Sequence, residues 1–142
     1  MTTARTISVR EARDVADAAI QHAAELGVAV AVAVVDAGGH PVVVLRSDGA
    51  SFLTTSLATA KAGTSAGLGV PTREFGAYLA TEPSLLAGLA GQPGIAIVPG
   101  GLPLVLDGAL VGAVGVAGGQ GGEDHPVAAA GAAALVPATA AG

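Results

Sequence analysis

Few residue types in this sequence can do chemistry: six Lys and Arg, eleven Asp and Glu, three His and no Cys. Lys61 lies in a stretch of small and apolar residues running from Leu53 to Leu68. Two readings of it are open. It is a surface side chain whose stem covers apolar area, or it is the cationic end of a pocket that holds a carboxylate or steadies an enolate. Arg73 carries a planar fork suited to clamping a carboxylate bidentately. Arg46 and Asp48 bracket a strand end, where they form a weak surface pair or Arg46 joins the ligand-binding cations. Asp124, Glu74 and His125 are the groups able to move a proton. Gly100 and Gly101, held between Pro99 and Pro103, expose amides that can receive a carboxylate or a developing oxyanion.

Several chemistries lack support. Without cysteine there are no disulfides, thiolate metal sites or thiol nucleophiles, and the redox compartment stays open. No His-x-x-x-His or Glu-x-x-x-His pair supplies a sequence-local metal site. No Gly-x-Ser-x-Gly elbow surrounds Ser47, Ser51, Ser56, Ser65 or Ser84. The glycine run at 118–122 follows a strand and precedes a helix, the context of a phosphate loop. It is not followed by Lys-Ser/Thr, and Asp124 occupies the position of the last glycine in a dinucleotide fingerprint. Glu123 and Asp124 occupy the helix entry themselves and repel phosphate, so Asp124 is read as a cap or as a general base.

The elements that must position these groups follow from periodicity. Ser8-Val9-Arg10-Glu11 is a capping box, and Val9, Ala12, Ala16, Ile20, Ala23 and Leu26 recur at helical spacing up to Gly27. Residues 28–35 are apolar on both faces and predict a central strand, turned at Asp36-Ala37-Gly38-Gly39-His40 into a partner strand at 41–46. A second helix spans about 51–66, with Ala58, Ala62 and Ala66 as a small-residue stripe. A short helix over 73–80, introduced by the Pro71-Thr72 cap, and a helical turn after Pro83 follow. Residues 94–98 predict a strand and 99–103 a rigid loop; Asp107-Gly108 joins strands at 104–106 and 109–117. Gly112 and Gly115 mark a bulge, or a place where another backbone or a ligand comes close. An Ala-rich helix over 123–135 ends the core, and 136–142 reads as a frayed tail. Strands paired mainly by hairpins, with helices packed on them, make an α+β domain with an antiparallel sheet.

The chain has 142 residues, 51% hydrophobic and 12% charged, with mean hydropathy +0.66. That excludes disorder driven by low hydrophobicity and allows one domain with a real core. Aromatics are only 2%, so few side chains can stack on a planar ligand. A net charge of −5 leaves no electrostatic footprint for nucleic acid or an anionic membrane. Residues 28–35 fall far short of the roughly 20 apolar residues of a membrane helix, and no apolar signal core follows Met1. The expectation is a soluble, cytoplasmic protein. Its low charged fraction suggests apolar surface buried between subunits of a homo-oligomer.

Five segments resemble the GlcG/HbpS-type family, which includes the C-terminal domain of PduO. They are Val35-Asp36-Ala37-Gly38-Gly39, Arg46-Ser47-Asp48-Gly49-Ala50, Ala60-Lys61-Ala62, Pro99-Gly100-Gly101-Leu102-Pro103, and Gly112 to Gly118 leading to Asp124. Singly they are weak; in order, over roughly residues 8–135, they are specific for the fold. The resemblance implies a profilin-like sheet flanked by helices, a single domain over 1–142, homo-oligomers, and haem or a related tetrapyrrole as ligand. Haem-binding relatives direct attention to the histidines as axial ligands. His22, beside the apolar stripe of the first helix, is the candidate for iron, or else a half-exposed surface imidazole. His40 lies in a solvated turn.

Three functions compete on this inventory. The leading one is a small-ligand-binding protein, with haem or a related tetrapyrrole implied by the resemblance. The second is a cofactor-independent lyase, isomerase or cyclase acting on a small carboxylate or carbonyl metabolite. There Arg46, Lys61 or Arg73 binds the substrate, and Asp124, Glu74 or His125 moves a proton. The third is an oligomeric scaffold without ligand. Scarce aromatics weigh against haem and do not separate the other two.

Overall fold

The computed structural model describes residues 5–120 and 122–137. Helix α1 (Val9–Leu26) starts as its sequence dictates. The Ser8 hydroxyl accepts from the Glu11 amide, and the Glu11 carboxylate accepts from the Ser8 amide. It stops at Gly27, whose φ of +73° closes the last turn in the left-handed conformation. The buried stripe is Ala12, Val15, Ala16, Ala19 and Ala23. Val9 and Leu26, expected on that stripe, are exposed.

Strands β1 (Ala31–Asp36), β2 (Pro41–Arg46), β3 (Gly101–Leu106) and β4 (Ala109–Ala117) form one antiparallel sheet in the order β2-β1-β4-β3. The two inner strands are the ones buried on both faces. Pro41 and Pro103 fall on the outer strands, where a missing N–H costs no ladder bond. Asp107 (φ +51°) and Gly108 (φ +78°) make a turn with two positive φ values, which matches the twist of the β3–β4 hairpin. The β3–β4 register shifts beside Gly112, so the bulge reading of that glycine holds.

Helices α2 (Leu53–Leu68), α3 (Thr72–Leu79), α4 (Pro83–Leu89) and α5 (Asp124–Ala133) complete the domain. Helices α1 and α5 cover one face of the sheet over a core of Val15, Val32, Val34, Val114, Val116 and Val127. Helix α2 covers the other through Ala58, Ala62 and Ala66, which meet Ala31, Ala33, Val35, Ala113 and Ala117. This is the α+β arrangement expected, an antiparallel sheet flanked by helices.

Two local expectations are corrected. Residues 94–98 are not a strand: the Ala96 amide donates to the Thr64 hydroxyl, and the Thr72 hydroxyl donates to the Val98 carbonyl. Their backbone groups are bonded to helix side chains instead of a ladder. Residues 101–103 belong to β3 rather than to a loop, because β4 pairs with them from Gly101 onward. The reading of Gly115 as a place where another backbone comes close holds, and that backbone belongs to α2: a Cβ there would lie 2.1 Å from the Ala58 carbonyl oxygen and 2.6 Å from the Ala62 nitrogen. The glycine run loses Gly121 and the tail its residues 138–142 to the part of the chain outside the described residues.

Candidate functional site

Gly101 and Gly115 stand opposite each other across β3 and β4, and Gly115 also faces Ala33 on β1. That row has almost no side chain, so the backbone of α2 rests on it. A Cβ on Gly101 would lie 2.4 Å from the Lys61 carbonyl oxygen. The Lys61 stem then runs over Gly100, where a Cβ would come within 2.9 Å of its Cδ. Lys61 is thereby buried, with 2% side-chain exposure. Its Nζ reaches the end of β4, donating to the Val116 carbonyl (2.8 Å) and to Asp124 Oδ2 (3.0 Å).

Asp124 begins α5, where the helix dipole favours a carboxylate. Its other oxygen, Oδ1, accepts from the Gly119 amide at 2.8 Å. Glu123 accepts from the Gln120 amide, so two carboxylates tie down the chain leaving β4. Gly118 turns there at φ +131°, against the Ala29 carbonyl.

Above this pair opens a cleft of about 480 Å³, with Lys61 and Asp124 at its base and Leu53, Leu57, Val98 and Pro99 among its walls. Leu53, Leu57 and Val98 are 61%, 42% and 47% exposed, so its walls present unsatisfied apolar area. A second hollow of about 500 Å³ adjoins it through Thr54, Gly118 and Gln120. A larger one, about 610 Å³, lies between the end of α1 and the end of β2 and holds Arg46 and Asp48. The chemistry favours the Lys61 cleft, where a buried cation and a carboxylate meet.

The sequence-derived candidates separate into four places. Lys61, Asp124 and Gly100 come together. Gly101 is adjacent, but its amide donates to the Thr72 hydroxyl, so it is not open to a ligand oxyanion. Arg73, Glu74 and His125 form a second cluster. Arg73 pairs with Glu74 at 3.0 Å, both about half exposed, and this bond holds the Glu74 carboxyl below its usual range. Burial, followed by the Arg73 charge, pushes the His125 imidazole below 6.5, and its Nδ1 is buried without a partner among the described residues. Arg46 stands apart and donates to the Ala50 carbonyl at 2.7 Å; the described residues contain no Arg46–Asp48 ion pair. His22 pairs with Glu25 at 3.5 Å on α1 and lines none of these hollows.

Thr72 was legible only as a helix cap. Buried, its hydroxyl instead bridges the Val98 carbonyl and the Gly101 amide, fixing the cleft wall to β3. Leu53, Leu57 and Val98 carried no signal beyond hydrophobicity. The described residues contain no cluster of three or more His, Cys, Asp or Glu able to hold a metal ion, and no helix long and apolar enough to cross a membrane.

A family model described as haem degrading protein HbpS-like matches residues 7–133. The crystal structure of a double mutant of Streptomyces reticuli HbpS is 37% identical, with TM-score 0.86, covering 96% of this chain and 92% of that one. A crystal structure described as a PduOC:heme complex is 30% identical, with TM-score 0.81, covering 92% of this chain and 95% of that one. The corrinoid adenosyltransferase PduO of Citrobacter freundii is 32% identical over 128 residues, 88% of this chain but only 38% of that protein's length.

Proposed function

The chain belongs to the HbpS-like family, and we propose that it binds a small amphipathic ligand bearing carboxylates, of the haem and tetrapyrrole class, in the Lys61–Asp124 cleft. The observation that carries this reading is a buried ammonium beneath exposed apolar walls. Lys61 has three N–H donors, and two are used by Val116 and Asp124, leaving one for a ligand carboxylate. Leu53, Leu57 and Val98 offer area whose burial contributes roughly 25 cal/mol per Å². The haem named for the similar PduOC structure has both features, an apolar body and carboxylates.

For haem the fit is partial. The walls suit the ring and Lys61 suits a carboxylate, but no His, Cys, Met or Tyr lines the cleft among the described residues. No step is therefore assigned to iron. Titrating the purified chain with haemin tests the reading. A Soret shift that saturates at a fixed stoichiometry and weakens severalfold in Leu53→Ser supports it. Unsaturable partition overturns it in favour of an enzyme or a ligand-free scaffold.

A second reading rests on the Lys61–Asp124 contact itself. A carboxylate 16% exposed beside an ammonium can take a proton α to a carbonyl while the ammonium steadies the enolate oxygen. Solvent-deuterium exchange into small keto acids, abolished in Asp124→Asn, tests it.

A further inference from the structure

We infer that the cleft recognises the body and carboxylates of a tetrapyrrole and not its metal, an inference that rests on the ligand class proposed above. Its basis is where the possible iron ligands stand. The side chains that commonly hold haem iron are His, Cys, Met and Tyr. Cysteine is absent, and the single Met is residue 1, outside the described residues. Tyr78 projects from α3, half exposed, and does not line the cleft.

The histidines are held elsewhere. His22 pairs with Glu25 on α1, and His40 closes the β1–β2 turn against Asp36 at 3.2 Å. His125 follows Asp124, but successive helical residues point about 100° apart. With Asp124 aimed at Lys61, His125 faces Arg73 and Glu74. Asp124, the one carboxylate lining the cleft among the described residues, already accepts from Lys61 Nζ and from the Gly119 amide through its two oxygens.

Affinity then comes from burying the macrocycle and from one charge-assisted hydrogen bond at Lys61, features that a ring with or without iron supplies equally. The test is to titrate the full chain with haemin and with iron-free protoporphyrin IX, in the parent protein and in His22→Ala, His125→Ala and Leu53→Ser. The expected result is dissociation constants within about threefold of each other, equal weakening of both by Leu53→Ser, and a bound-haemin spectrum unchanged by either histidine substitution. Haemin binding more than about tenfold tighter than the iron-free ring, or a haemin spectrum altered by a histidine substitution, overturns the inference and leaves the ligand class standing. If neither ring binds saturably, the ligand class falls and the inference falls with it.

Discussion

On the α1/α5 face of the sheet the buried side chains are mostly Val, with Ile7 and Leu104 beside Val15, Val32, Val34, Val111, Val114 and Val116. On the α2 face the apolar cluster is Ala, with Val35 its one larger member. The first face is held by large side chains taken out of water and interlocked. The second is held by closeness, helix backbone against a row of Ala33, Gly115 and Gly101. Thinness on that side has a functional consequence. It sinks Lys61 to the level of the sheet, so that a long side chain on a helix ends beside the last carbonyls of β4 instead of in solvent.

The comparison is broken most directly by Gly115→Val. Its Cβ meets backbone atoms that no rotamer change can move, so α2 must lift. A loss of about 3 kcal/mol or more in denaturant unfolding, or failure to fold, is expected. A stability equal to the parent's would mean that α2 does not rest on the glycine row.

Next is Lys61→Met, which keeps the stem and removes the charge. Asp124 is left without its cation, for a loss of about 3 kcal/mol. Adding Asp124→Asn should restore part of it, since the pair is then neutral at both ends. Additive losses in the double variant would show that the two groups do not act as a pair.

On the other face, Val32→Ala removes two methyl groups from a fully buried site and leaves a cavity, for about 2 kcal/mol with the fold and the cleft unchanged. Ligand binding altered as strongly as by Lys61→Met would erase the distinction between the faces.

The smallest effect concerns His125, at the head of α5. Its imidazole is held below 6.5 in the folded chain, so above that pH both states are neutral there and no penalty arises. As pH falls through 6.5 the unfolded chain takes up the proton first, and stability declines. His125→Asn should flatten that decline in midpoints measured between neutral and mildly acidic pH. An unchanged slope would mean that other groups cause it.

Much of the fold was legible because its signals are short-range. The capping box at Ser8 and Glu11, the Asp107-Gly108 turn and the doubly apolar β1 each depend on a few neighbouring residues. Reading residues 94–98 as a strand failed for the complementary reason. Their composition suits a strand, but the partners their amides and carbonyls found were hydroxyls on α2 and α3.

The site shows the same division. Sequence by itself determined the inventory: one Lys in a small-residue helix, a glycine pair after Pro99, an acidic start to the last helix, no thiols, and the family motifs. Tertiary structure decided which of these meet. Lys61 and Asp124 stand 63 residues apart, and no local periodicity relates them. They touch because α2 descends onto glycines of β3 and β4 while α5 starts where β4 ends. Arg73, Glu74 and His125 were equally plausible by type, and packing drew them into a separate cluster. A residue's chemistry belongs to its side chain, but its partners are set by how closely backbones can approach, and that depends on every element that packs between them.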